Sequence, residues 1–221
     1  MKKELTNRFF TSLILIGLLI LMLNYSFILV SFLLLVFVFS WIEFINLIEK
    51  IYQNKKLKTL KKNILKFLFF MYLLFFIKIV IDDFMLNHPN ISWNLVFVIT
   101  ICILTDIGGY IFGKIFKGKK LTKVSPNKTY SGMIGSFFLT LLFTTIYNYT
   151  INFVDFKIIF LISILISAIS QIGDLLFSYL KRKSKVKDTG NILPGHGGIL
   201  DRIDGILFAL PLGLILIDYF Y

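Results

Sequence analysis

The sequence predicts an all-α, polytopic integral membrane protein of about seven transmembrane helices with a cytoplasmic N-terminus. Three observations carry this. Mean hydropathy is +0.83, and 57% of the 221 residues are hydrophobic and 17% aromatic, where soluble domains hold about 45–50% apolar residues. Several apolar runs reach the roughly 18–20 residues with which a helix crosses about 30 Å of hydrocarbon. Basic residues are confined to alternate connections between those runs, as the positive-inside rule requires.

The apolar runs fall at about 9–23, 26–48, 64–81, 92–113, 131–147, 156–180 and 199–220. Lys2, Lys3 and Arg8 precede the first, as in a signal peptide, but the only alanines are Ala168 and Ala209. No small-residue cleavage site follows, so the first run reads as an uncleaved span. Asn24, Tyr25 and Ser26 separate it from the second, which favours a tight hairpin over a single long helix. The second run is followed by Lys50, Lys55, Lys56, Lys58, Lys61 and Lys62. The fourth is followed by Lys114, Lys117, Lys119, Lys120, Lys123 and Lys128, and the sixth by Lys181, Arg182, Lys183, Lys185 and Lys187. Segments 82–91 and 148–155 contain no lysine or arginine. This alternation places the N-terminus and the three basic loops in the cytoplasm and Tyr221 outside.

The formal charge of +12 therefore reads as loops facing anionic lipid, with no nucleic-acid partner. The single Cys102 excludes a disulfide framework and a thiolate metal site, and reads as a packing residue.

Ionisable residues inside spans mark functional sites by default. Asp106 lies in the fourth run, with Tyr110 and Gly113 four and seven residues on, along one face. Gly109 and Gly113 form a small-xxx-small pair that admits another helix, so polar glue between helices is the plainer account of Asp106. Asp174 is the stronger case, because Ser170, Asp174, Ser178 and Lys181 make one polar stripe on an apolar helix. Snorkelling to the interface explains Lys181 and Arg182 but not the carboxylate below them.

Asp201 and Asp204 share a face at the start of the last span. Helix-dipole capping accounts for such carboxylates in part. With Asp174 nearby they would repel one another unless a cation intervened, and hard oxygen ligands suit Mg2+. Pro194, Gly195, Gly197 and Gly198 surround His196 and run into a helix N-terminus, an arrangement that reads as a phosphate site. His88, beside Pro89 in a loop without such company, reads as structural. No G-x-x-x-x-G-K-[ST] loop occurs. The combination points to metal-assisted polyphosphate chemistry at the cytoplasmic surface.

Ser178, Lys181, Arg182, Lys187, Asp188, Gly190, Leu193, Pro194, His196, Gly197, Gly198, Asp201, Arg202 and Asp204 together form S-x-x-K-R-x4-K-D-x-G-x2-L-P-x-H-G-G-x-x-D-R-x-D. This run resembles the C-terminal pattern of the phosphatidate cytidylyltransferases, also called CDP-diglyceride synthetases, without departure. A second stretch is similar to the same family. It consists of Thr105, Asp106, Gly108, Tyr110 and Gly113, then Ser125, Pro126, Lys128, Thr129 and Gly132. It departs at Ser131, where the family usually has Glu. The resemblance covers about residues 93–221 and divides the chain into N-terminal transmembrane helices over 1–91 and a catalytic transmembrane region over 92–221.

The resemblance implies that CTP and phosphatidate give CDP-diacylglycerol and pyrophosphate in a cell membrane, with the site on the cytoplasmic side. It implies Mg2+ on Asp174, Asp201 and Asp204, with a monovalent cation such as K+ left open beside it. Lys181, Arg182, Lys187, Arg202 and His196 would contact phosphates, with Asp188 in the catalytic set. Ser125, Lys128, Thr129, Asp106, Tyr110, Ser178, Gly197 and Gly198 form the substrate-binding set. Membrane lipids and a second copy of the chain, in a homodimer, are the implied partners. A CTP-dependent polyprenol or phytol kinase is the nearest rival, and the full K-R…K-D…H-G-G…D-R-x-D run argues against it. The D-G-x-x-A-R pattern of CDP-alcohol phosphatidyltransferases is absent. An ion-coupled transporter would use Asp106 and Asp174 but leaves the glycines and cations unexplained; a non-catalytic binder of anionic lipid is a further alternative.

Overall fold

The computed structural model describes residues 14, 17, 18, 20–22, 24–53, 59–86, 92–122, 124–151, 155–192 and 197–220. Six long helices follow one another: α1 (Ser26–Ile51), α2 (Thr59–Leu86), α3 (Trp93–Phe116), α4 (Tyr130–Ile151), α5 (Phe156–Lys183) and α6 (Leu200–Phe220). All six are long and apolar enough to cross a membrane, and the chain is an all-α polytopic membrane protein. The first expected span, at 9–23, lies mostly outside the described residues, as does His88. The helices overrun several of the apolar runs because lysines continue them into the interface, where long basic stems reach polar surroundings. At the end of α5 the cations Lys181, Arg182 and Lys183 occupy the last turn, which the helix dipole favours.

The chain forms two compact units. One comprises Met1–Ser92 with Leu180–Ile203, the other Trp93–Tyr179 with Asp204–Tyr221. In the first, α1 packs on α2 through aromatic rings. Phe44 stacks on Phe69 with centroids 3.9 Å apart, and Trp41 meets Phe70 edge-on at 5.2 Å. Leu29, Leu33, Val36, Ser40, Glu43 and Leu47 recur at three- and four-residue intervals and are buried, so one stripe of α1 faces protein. Lipid offers no hydrophobic drive to pair helices, so dispersion and ring packing hold this stripe. Glu49 accepts from Lys62 at 3.0 Å and Lys66 at 2.8 Å, tying the end of α1 to the start of α2. The Ser92 hydroxyl donates to the buried Asp83.

In the second unit, small residues let helix backbones touch. A Cβ on Gly108 would lie 2.7 Å from the Gly135 carbonyl oxygen, and one on Gly132 would lie 2.6 Å from that of Gly109. Hydroxyls then stitch the helices. Ser136 donates to the Thr105 carbonyl at 2.6 Å, Thr105 bonds Ser167 at 2.9 Å, and Thr144 bonds Ser163 at 2.7 Å. These hydroxyls are buried, where a polar group without a partner would be costly. On the other side of α5, a Cβ on Gly173 would lie 2.6 Å from the Asp204 carbonyl oxygen, and one on Gly205 would lie 2.6 Å from Ser170 Oγ.

Candidate functional site

Two lysine–carboxylate pairs lie within the motif stretches, Lys181–Asp201 in the first unit and Lys128–Asp174 in the second. In the first unit α5 ends in a Schellman-type closure, with Val186 N donating to the Lys181 carbonyl at 3.0 Å and Lys185 N to that of Arg182 at 3.1 Å. Lys185 takes the left-handed conformation (φ 57°) that closure needs. The chain then turns back toward the start of α6, which carries Asp201 in its first turn.

Asp201 is held from all sides. Its Oδ1 accepts from Lys181 Nζ at 2.7 Å. Its Oδ2 accepts from the Thr189 amide at 2.8 Å, the Thr189 hydroxyl at 3.0 Å and the Gly198 amide at 3.0 Å. The side chains of Lys181 and Asp201 are only 14% and 4% exposed. Gly197 takes φ 88°, and a Cβ there would lie 2.9 Å from Asp201 Oδ2. Only glycine meets both demands.

Behind this pair stands Glu43 of α1, 2% exposed. Its Oε2 accepts from the Thr189 hydroxyl at 2.7 Å and the Leu200 amide at 2.9 Å, and its Oε1 accepts from the Ile199 amide at 3.0 Å. A Cβ on Gly190 would lie 2.7 Å from Glu43 Oε1, and one on Gly198 would collide with the same carboxylate. Sequence reasoning passes over Glu43 and Thr189. The available signal was a carboxylate inside the apolar run SWIEFINL, the same argument that singled out Asp106 and Asp174.

At the glycine-rich entry to the last helix, the amides of Ile199 and Leu200 serve Glu43, and that of Gly198 serves Asp201. These three donors are therefore engaged by the protein's own carboxylates. Arg182, Lys187, Asp188 and Arg202 are exposed in this unit, while His196 lies outside the described residues.

In the second unit Lys128 pairs with Asp174, both 27% exposed, and the Ser178 hydroxyl donates to Asp174 Oδ1 at 3.3 Å. Backbone bonds set the loop that carries Lys128. Leu121 N donates to its carbonyl at 2.8 Å, and its own amide donates to the Ser125 carbonyl at 3.1 Å. Thr129 caps α4 by accepting from the Gly132 amide at 3.1 Å. Ser131, at the family's glutamate position, bonds Thr129 Oγ1 at 3.0 Å and accepts from the Gly118 amide at 3.3 Å. Its short side chain thus fastens the loop to the helix start.

Asp106 is exposed on α3, and its neighbour Thr105 ties helices through Ser136 and Ser167. Tyr110 is 68% exposed, with Lys114 Nζ 5.6 Å from its ring centre. Asp204 is half-buried and accepts from the Gly205 amide at 2.9 Å. Among the described residues, no three His, Cys, Asp or Glu side chains converge on a point that could hold a metal ion.

Comparison with known proteins places the chain in a family. The model of the family described as "Cytidylyltransferase family" matches residues 1–220. A protein of Staphylococcus haemolyticus (strain JCSC1435) named phosphatidate cytidylyltransferase is 46% identical over 111 residues, 49% of this chain and 43% of that protein. The Bacillus subtilis (strain 168) protein of that name is 41% identical over 125 residues, 54% of this chain and 46% of its own length. The Staphylococcus saprophyticus protein of that name is 45% identical over 123 residues, covering 53% and 46%. The matched stretch thus spans less than half the length of each relative.

Proposed function

We propose a reaction from one premise: this chain belongs to the cytidylyltransferase family. The reaction is transfer of CMP from CTP to phosphatidate, giving CDP-diacylglycerol and pyrophosphate. A phosphatidate phosphate oxygen attacks the α-phosphorus of CTP and forms the new P–O bond. The bond from the α-phosphorus to the bridging oxygen breaks, and pyrophosphate leaves with that electron pair. The attacking phosphate is already anionic, so the chain needs no dedicated base and no nucleophilic serine or cysteine. The observation that carries this reading is the buried Lys181–Asp201 pair inside the K-R…K-D…D-R-x-D run, and the printed names of the relatives agree with it.

In this reading Lys181, Arg182, Lys187, Arg202 and His196 neutralise phosphoryl oxygens, with Ser125 and Lys128 adding contacts from the loop before α4. Thr129 contributes chiefly by holding that loop, since its hydroxyl caps α4. Asp174, Asp201 and Asp204 offer the hard oxygen donors that suit Mg2+, and lysine ammoniums already attend two of them. Bound there, Mg2+ would supply further charge neutralisation to the polyphosphate. The protein acts as a homodimer in the cell membrane with its lysine-rich loops in the cytoplasm, a side supported by the loop charges.

The test is an assay of purified protein with CTP, phosphatidate and Mg2+, reading which small product is released. Pyrophosphate is expected. Release of CDP with a newly phosphorylated lipid would make the protein a kinase and overturn the proposal, as would no turnover at all.

A further inference from the structure

We propose that Glu43 is a positioning residue for the reacting centre, acting through the Thr189 hydroxyl and the first turn of α6 on Asp201 and Lys181. This deepens the CMP-transfer reading and rests on it for its kinetic readout.

Three observations carry it. Glu43 is among the least exposed charged residues described, at 2%, and a carboxylate so buried is costly unless its oxygens are satisfied. The groups that satisfy it all belong to the segment bearing the signature residues, 146 to 157 positions further along the chain. The Leu200 amide it holds is adjacent in sequence to Asp201, so Glu43 sets the height and rotation of the turn from which Asp201 projects.

Thr189 makes the link specific. Its hydroxyl has one hydrogen and stands between Glu43 Oε2 at 2.7 Å and Asp201 Oδ2 at 3.0 Å. Its amide is committed to Asp201. Thr189 therefore fixes Asp201 from one end while Glu43 holds it from the other. Asp201 Oδ2 receives two amides and shares the single hydroxyl hydrogen of Thr189 with Glu43, while Oδ1 faces Lys181. Glu43 touches neither Lys181 nor any exposed cation of the set in these bonds. Its effect on chemistry is carried by the placement of Asp201.

The experiment uses the full chain in detergent or nanodiscs, with Thr189→Val, Thr189→Ser, Glu43→Gln and the Thr189→Val/Glu43→Gln pair. Loss of such a supporting partner typically costs about 10–100-fold, so Thr189→Val is expected to lower kcat by about that factor. Its KM for CTP should change less than about threefold, because most of the cations assigned to phosphate, Arg182, Lys187 and Arg202 among them, take no part in these bonds. Thr189→Ser keeps the hydroxyl and is expected to restore the rate. The double variant should be no slower than the worse single one, because both cut the same link. Equal kcat in wild type, Thr189→Val and Glu43→Gln would overturn the proposal, as would loss of thermal stability with kcat intact.

A second readout needs no turnover. Amide hydrogen exchange at Thr189 and Gly198, which bond Asp201 and not Glu43, should quicken about tenfold or more in Glu43→Gln. Unchanged exchange there would overturn the positioning role. Faster exchange in a chain that never transfers CMP would uphold the role and reject the reaction.

Discussion

The two lysine–carboxylate pairs share a chemistry and differ in how they are built. Asp201 exposes 4% of its side chain and takes Lys181, two amides and a share of the Thr189 hydroxyl, on a segment that a second carboxylate holds in place. Asp174 exposes 27% and takes Lys128 and one hydroxyl. A buried, multiply bonded pair resists exchange, because removing either partner strands a charge. A part-exposed pair is worth little to stability and can trade partners. In the proposed reaction both lysines attend phosphate, Lys181 from a fixed setting and Lys128 from an exchangeable one.

Four substitutions sharpen or break this contrast. Asp201→Asn should have the largest effect. It leaves Lys181 buried without its carboxylate, at about 3–5 kcal/mol, and should remove CMP transfer. Unfolding in detergent and product assays read the two consequences, and an unchanged stability would dissolve the distinction between the pairs. Gly205→Ala puts a Cβ 2.6 Å from Ser170 Oγ and 3.1 Å from its carbonyl oxygen. It should cost about 1–3 kcal/mol by overpacking while touching neither lysine, which separates packing around α5 from charge pairing. Lys128→Met should cost no more than about 1 kcal/mol, yet should slow CMP transfer about 100-fold through the lost phosphate contact. A stability loss matching that of Asp201→Asn would make the two pairs alike. Lys185→Gly should stabilise the chain by up to about 1 kcal/mol, since the left-handed turn closing α5 (φ 57°) strains a side-chain-bearing residue, and should leave turnover unchanged.

Much of this molecule is legible in its residues, and the limits are physical. Helices α1 to α6 follow their apolar runs because length and hydropathy suffice to mark a span. Their ends are less legible, since Lys114 and Lys181 to Lys183 continue helices that composition alone would stop. Lys181 and Asp201 both fall within one continuous motif, so each is singled out by sequence, while their pairing is seen only in the fold. Glu43 is not singled out in this way, because its meaning depends on amides and a hydroxyl more than a hundred residues away. The same distance hides the neighbours of the glycines, since only the fold reveals that Gly190 and Gly198 lie against Glu43 and Gly197 against Asp201. Thr129 and Ser131 look like substrate contacts or drift in sequence, and their bonds to Gly132 and Gly118 give them local work.

The measurement closest to the central claim follows radiolabel from CTP into lipid, using CTP labelled at either the α- or the γ-phosphate and comparing wild type, Asp201→Asn and Lys128→Met. The account predicts that wild type passes only the α-label to phosphatidate, that Lys128→Met does so slowly, and that Asp201→Asn does not do so at all. Lipid carrying the γ-label, or Asp201→Asn at the wild-type rate, would contradict it.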